Sequence, residues 1–322
     1  MKRIPSILLL AALFASLAVP AGAQNYPTRP VRMVVPFSPG GGSDITGRIL
    51  ATGLSETLGQ TIVVDNRPGA GSTLGWNIVS QSTPDGYTTL LGNISAAFNT
   101  ALYKKLPYDA IRDFTPVSLV TQQPNMLVAN PAFAAKSFKE FLSLAESQPG
   151  KFTFGSAGLG TGTHLAMEML LMSRKLDLVH VPYKGTGPAI IAVLGNQISV
   201  FLSTYASALS HVKAGRLRAL AVTSVKRTST LPQVPTVAES GFLGFEYYTW
   251  YGVLVPAKTP RAIVQRLNQA TVSALNLDKT RKSYLAQGVD AIPSTPEQFV
   301  AHLDSEIKRW GKVVRAAKIP QQ

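Results

Sequence analysis

Short apolar runs bounded by glycine and proline recur along this chain, alternating with stretches patterned like helices. That alternation constrains the fold more than any other feature, because strands feeding helices define an α/β architecture. The predicted strands are Val31–Pro36, Ile62–Val64, Thr88–Leu91, Phe152–Phe154, Leu178–Val181, Ile198–Leu202, Arg218–Val222 and Tyr248–Val255. Predicted helices cover Ile45–Leu58, Leu74–Gln81 and His164–Arg174, and others follow Pro260, Leu277 and Thr295. Ser137-Phe138-Lys139-Glu140 has the spacing of a capping box and opens a helix to about Gln148. No low-complexity tract or short-period repeat interrupts the pattern.

The N-terminus bears on the compartment. Lys2 and Arg3 precede an apolar run from Ile7 to Val19, and Ala21-Gly22-Ala23 follows, the pattern of a cleaved secretory signal; an N-terminal membrane anchor is the alternative, disfavoured because the run is short and soon meets Pro20 and Gly22. Cleavage is expected after Ala23, leaving 299 of the 322 residues, enough for two domains with substantial cores. No later segment has the apolar length of a membrane span. The chain has no cysteine, which excludes disulfides, a thiolate nucleophile, a thiolate metal site and a lipid anchor.

Charge raises a second possibility. Thirty-one Lys and Arg against 17 Asp and Glu give +14, or +12 once Lys2 and Arg3 are removed. Nucleic-acid binding needs clustered cations, and here they are scattered as pairs such as Lys104-Lys105, Lys226-Arg227 and Arg281-Lys282. The densest stretch, Lys308 to Lys318, ends an amphipathic helix whose apolar stripe is Phe299, Leu303, Ile307, Trp310 and Val314. A solvated helix face explains it, so no nucleic-acid partner is expected.

Two glycine-rich turns share one physical form. Pro36-Phe37-Ser38-Pro39-Gly40-Gly41-Gly42-Ser43-Asp44 and Gly155-Ser156-Ala157-Gly158-Leu159-Gly160-Thr161-Gly162-Thr163-His164 each lie between a predicted strand and helix. Glycine lets the backbone approach a ligand closely, and a helix N-terminus offers free N–H groups to an anion. A plain connector capped by Ser43 or Asp44 fits the first turn equally well. Sharper motifs fail: the second turn has Thr163 where a dinucleotide fingerprint needs glycine, neither turn ends as a P-loop, and Phe154 spoils a nucleophile elbow. The four histidines, at 164, 180, 211 and 302, lack metal-ligand spacing, and His164 suits capping or packing better than general base work. No catalytic site, metal or cofactor is expected.

With these residues in view, the chain resembles the TctC-like substrate-binding proteins of tripartite tricarboxylate transporters, the Bug family of extracytoplasmic receptors. The resemblance runs from Tyr26 to about Ile319. Besides the first turn, it rests on Asp65-Asn66-Arg67-Pro68-Gly69-Ala70-Gly71, Pro84-Asp85-Gly86-Tyr87, Leu106-Pro107-Tyr108-Asp109, His180-Val181-Pro182-Tyr183-Lys184-Gly185, Lys213 to Thr223, and Pro235-Thr236-Val237-Ala238-Glu239.

That resemblance implies a periplasmic, two-lobed Venus-flytrap fold of type II-like form, with the ligand cleft between lobes. Residues 24–122 and 225–322 would form one lobe and 123–224 the other, joined by crossing strands near Leu119–Ala129 and Ala219–Val222. It also implies that the two turns face one another and hold a ligand carboxylate. Phe37, Gly40, Gly41, Gly42 and Asp44 would line one wall, and Ser156, Gly158, Gly160, Thr161 and His164 the other. Ser95, Ser203, Tyr205 and Trp250 would meet the far end of the ligand, although a strand tryptophan also suits a packed core. Many relatives have an Asp-Asn or Gly-Asn pair where this chain has Ser203-Thr204-Tyr205. Loss of the acid disfavours an amino-acid ligand and leaves a dicarboxylate or aromatic carboxylate. The expected partners are that acid and the membrane components of the transporter, with the receptor itself a monomer. A carboxylate-sensing subunit of a signalling system would share this ligand chemistry, whereas an enzyme would need a nucleophile–base pairing the sequence lacks.

Overall fold

The structure, a computed structural model, describes residues 26–316. The expected signal segment lies outside the described residues. Among the described residues, ten strands form one continuous hydrogen-bonded system: β1 (Val31–Val35), β2 (Ile62–Asn66), β3 (Thr88–Asn93), β4 (Phe114–Ala129), β5 (Thr153–Ser156), β6 (Val179–Pro182), β7 (Val200–Thr204), β8 (Arg218–Val222), β9 (Tyr248–Pro256) and β10 (Asp290–Ala291). Their order is β2-β1-β3-β9-β4-β7-β5-β6, with β8 and β10 also pairing β4.

Two parallel triplets stand at the ends of this system. In β2-β1-β3 the first strand runs parallel to both neighbours, and in β7-β5-β6 the middle strand does the same. Each triplet therefore has a central strand from which neighbouring connections diverge, the position where open α/β sheets hold ligands beyond their strand ends. The helices are α1 (Gly42–Leu58), α2 (Thr73–Ser80), α3 (Ser95–Leu102), α4 (Phe138–Ser147), α5 (Gly162–Arg174), α6 (Thr186–Leu194), α7 (Tyr205–Lys213), α8 (Arg261–Asn276), α9 (Asp278–Ala286) and α10 (Pro296–Ala316). Among the described residues, none is long and apolar enough to cross a membrane. The capping box at Ser137 forms, with the Glu140 N–H donating to Ser137 Oγ.

Antiparallel β4 and β9 join the two lobes. From Phe114 to Pro124, β4 pairs β9, and from Asn125 to Ala129 it pairs β7 and β8 instead. The handover falls at Pro124, which has no N–H to give to a ladder. Just beyond it, buried polar groups staple the hinge: Asn125 N–H donates to Thr223 Oγ1 (2.7 Å), Thr223 Oγ1 to Tyr247 O (2.6 Å), and Thr249 Oγ1 to Asn125 Oδ1 (2.8 Å). The chain re-enters the first sheet through β9, while β8 pairs with the second-lobe half of β4 and adds a single parallel bridge from Val222 to Thr236.

One lobe encloses Val31, Met33, Leu50, Leu54, Leu267 and Tyr284, the other Met126, Val128, Ile190, Phe201 and Leu209. A third cluster, including Trp76, Phe98, Phe154, Trp250 and Trp310, runs across both. Here Glu306 accepts from the indole N–H of Trp250 and of Trp310, each at 3.1 Å, and so ties α10 to β9. Replacing Glu306 with Ala strands two buried donors, each costing about 1–3 kcal/mol. Denaturant unfolding of the Glu306→Ala variant should accordingly show a loss of about 2–6 kcal/mol; a loss under about 0.5 kcal/mol would contradict the tie.

Candidate functional site

The first turn leaves β1 at Val35 and enters α1 through Gly41, with Gly40 in the left-handed region (φ 78°). Asp44 holds it from behind: its Oδ2 accepts from Gly40 N–H and Arg48 Nε, both at 3.0 Å. Burial alone would raise the Asp44 carboxyl, but the hydrogen bonds from Arg48 and Gly40 outweigh it and hold the group below the usual carboxylate range. The second turn leaves β5 and enters α5 through Thr161. Ala157 N–H donates to Thr163 Oγ1 (2.8 Å), Gly158 N–H to Ser156 Oγ (3.1 Å), and Thr161 Oγ1 to Gly158 O (2.6 Å).

Each turn closes on a different segment of the opposite lobe. Ser38 donates to Lys184 O through both its N–H (3.3 Å) and its hydroxyl (2.8 Å), and Gly42 N–H donates to Thr186 Oγ1 (3.1 Å). A methyl group on Gly41 would lie 2.2 Å from Thr186 Oγ1, and one on Gly187 would lie 2.4 Å from Pro39 O. The second turn instead meets Gly71, Asn99 and Leu102: a methyl on Gly71 would lie 2.5 Å from Leu159 O.

Between these contacts is a cavity of about 20 Å³, enough for roughly one water molecule. Anything larger enters only when the lobes part. Among the described residues its wall carries no charged side chain; instead Ser43, Asn93, Ser95, Thr161, Thr163, Thr186, Thr204, Tyr247, Thr249 and Tyr251 present hydroxyls or an amide, beside Phe37, Ile94, Ala157 and Gly162. Five helices begin in that wall: α1 at Ser43, α3 at Ser95, α5 at Gly162 and Thr163, α6 at Thr186, and α7 with Thr204 as its cap. Each start brings partial positive charge and N–H groups that lie outside its own helical ladder, some of them bonded to wall side chains as Gly42 N–H is to Thr186, so a neutral wall still suits an anion. Ser95 Oγ, fully buried, has no hydrogen-bond partner among the described residues. Burial pushes the Tyr247 and Tyr251 hydroxyls far up, so both remain protonated donors. Among the described residues no three His, Cys, Asp or Glu side chains come together to hold a metal ion.

Of the residues expected from sequence, Phe37, Ser95 and Thr161 line the cavity. Gly40, Gly41, Gly42 and Asp44 build the first turn behind it, and Ser156, Gly158, Gly160 and His164 build the second. Ser203, Tyr205 and Trp250 are not in the wall. Ser203 Oγ bonds Thr204 O, Tyr205 Oη bonds Thr228 and Thr230, and Trp250 reaches Glu306 on the far side of β9. The residues missed are mostly one position away. Strand side chains alternate faces, so Tyr247, Thr249 and Tyr251 share the cleft face while Trp250 points away. Thr186 follows directly on the Tyr183-Lys184-Gly185 stretch that the family resemblance already marked.

Two α/β lobes closing on a neutral, donor-lined cleft define a solute-binding protein. The family model described as the tripartite tricarboxylate transporter family receptor matches residues 46–319. The periplasmic binding protein BugD superposes with a TM-score of 0.90 at 34% identity, covering 92% of this chain and 100% of BugD. A protein of R. palustris solved with adipate gives 0.89 at 32% identity, covering 92% and 100%. MatC of Rhodopseudomonas palustris, solved with bound malate, gives 0.86 at 33% identity, covering 90% and 100%. The chain belongs to this TctC, or Bug, receptor family and is a binding protein, not an enzyme.

Closure can be tested without a ligand contact. Alanine at Gly187 suits the first turn of α6 but sets its methyl 2.4 Å from the Pro39 carbonyl. The Gly187→Ala variant should fold, yet small-angle scattering should show a larger radius of gyration than wild type. An identical radius would show that this contact does not govern closure.

Proposed function

We propose that this chain is exported, losing residues 1–23, and acts in the periplasm as a receptor that captures a small dicarboxylate lacking an amino group. It delivers that acid to the membrane components of a tripartite tricarboxylate-type transporter. In this reading residues 24–122 and 225–322 form one lobe and 123–224 the other. One observation carries the ligand class: a buried, uncharged, hydroxyl-rich cavity into which five helices begin.

The donors fall into two groups. Gly42 N–H, Thr186, Ser207 and Thr204 form one linked set, with Tyr251 bonded to Ser43 beside it. Thr161 and Thr163 form the other, beside the Ala157 N–H. Two groups suit two carboxylates, and the adipate and malate held by similar proteins fit that division. No acidic side chain lines the cavity to pair an ammonium, which disfavours amino acids. A carboxylate leaving water needs donors on every side, so it binds the closed form better than the open one and draws the lobes together.

A thermal-shift screen tests this reading. Malate, succinate or adipate at roughly 100 times its dissociation constant should add about 2.7 kcal/mol of stability, while aspartate should not. Stabilisation by aspartate alone would overturn the ligand class. With a binding acid in hand, Ser95→Ala should weaken affinity roughly tenfold, because a hydrogen bond to a charged group contributes about 1.5–3 kcal/mol. Its unliganded melting temperature should hold or rise, since the substitution removes a buried unpaired hydroxyl.

A further inference from the structure

Beneath the second turn lies a cluster that the binding account does not use. Phe154, His180 and His164 form a stack, with ring centroids 4.8 Å apart between Phe154 and His180 and 4.1 Å between the two imidazoles. Each imidazole touches one end of the turn. Ser156 Oγ lies 2.6 Å from His180 Nε2, and Gly160 N–H donates to His164 Nδ1 at 3.4 Å. We propose that His164 and His180 are positioning residues for this anion-binding turn, which keeps its ligand-ready shape only while both imidazoles are neutral, so that ligand affinity falls as the periplasm acidifies.

The hydrogen bonds set the protonation. Gly160 N–H can only donate, so His164 must offer a bare Nδ1 and carry its proton on Nε2, which faces Glu168 Oε1 at 3.5 Å. Ser156 Oγ already accepts from Gly158 N–H, and in the proposed state its own proton goes to a bare His180 Nε2. Protonating His164 at Nδ1 sets two N–H donors against each other. Protonating His180 at Nε2 leaves the Ser156 proton without an acceptor at a fully buried position. Stacked at 4.1 Å, the two rings also oppose each other's charge.

Few groups counter this. Glu168, on α5 with His164, is the acid facing the pair and favours the charged forms. From β5 come Phe154 and Ser156, which do not titrate in this range. Across the cleft Gly160 abuts Tyr103, whose phenol burial pushes further up. Burial, followed by His164, lowers His180 from 6.5 to about 4. With the folded value below the unfolded one, the neutral form's contribution is complete above pH 6.5 and disappears as pH falls toward about 4. The segment that then loosens is the one that closes on Gly71, Asn99 and Leu102.

The inference rests on the proposed ligand site, so its test has an arm without ligand. In the full ¹⁵N-labelled protein at pH 7.5, long-range proton–nitrogen correlations should find His180 Nε2 and His164 Nδ1 both unprotonated. Between pH 7.5 and 4.5 the Gly158 and Gly160 amides should shift and exchange faster. In His164→Asn, whose amide oxygen still accepts from Gly160 but does not titrate, the Gly160 response should vanish. A proton on either accepting nitrogen at pH 7.5, or amides indifferent to pH, would overturn the proposal. In the second arm, malate and adipate affinities are measured from pH 7.5 to 4 as the ratio of wild type to His180→Asn, which cancels the ligand's own ionisation. That ratio should fall about twofold by pH 4, where half of the His180 imidazoles are protonated. A rising ratio would mean that an imidazolium attracts the carboxylate, and would sink the idea. Should neither acid bind at any pH, the ligand class fails and the amide arm decides the inference.

Discussion

The ladder between β4 and β9 is the interaction on which the molecule depends. It sets the two parallel triplets on opposite sides of a single cleft, because β4 leaves β9 at Pro124 and continues into the second sheet. Both central strands, β1 and β5, then end at that cleft, and the turns that follow them deliver helix starts to its walls. The hinge strand also supplies the floor, since alternate residues Tyr247, Thr249 and Tyr251 face inward at the crossing. Scaffold, hinge and part of the binding surface are thus one piece of backbone.

That arrangement explains how an uncharged cavity can prefer an anion. A lysine or arginine in the wall would need its own partner whenever the cleft held no acid. Helix N-termini carry their charge as part of the backbone, and hydroxyls can turn to donate or accept. The glycines fit the same logic. At Gly41, Gly71 and Gly187 the opposite lobe comes within 2.5 Å of where a methyl would stand, so closure needs hydrogen at those positions.

Much of this was legible in the chain. Most strand and helix positions followed from apolar patterning, and the two turns declared themselves by glycine between a strand and a helix, whereas β4 was expected only through the family resemblance and only from Leu119. The eight-residue α3 passed unnoticed because Ser95-Ala96-Ala97-Phe98-Asn99-Thr100-Ala101-Leu102 lacks a clear amphipathic stripe, being buried on most sides. The cavity wall was less legible for a geometric reason. On β7 and β9 a shift of one residue exchanges the two faces, and Ser203 and Trp250 lie one step from Thr204 and Tyr251, which face the cavity. His164 illustrates a different gap: its place at a helix start was readable, but its stacking on His180, from a separate strand, depends on the parallel pairing of β5 and β6.

The central claim is that backbone amides at helix starts and neutral hydroxyls hold the acid between the lobes. A crystal structure with bound malate or adipate tests it most directly. Carboxylate oxygens should lie within about 3.2 Å of donors from both lobes, drawn from Ser43, Ser95, Thr163, Thr186 and the adjoining amides. An acid found paired with a lysine or arginine side chain, or touching one lobe alone, would contradict the account.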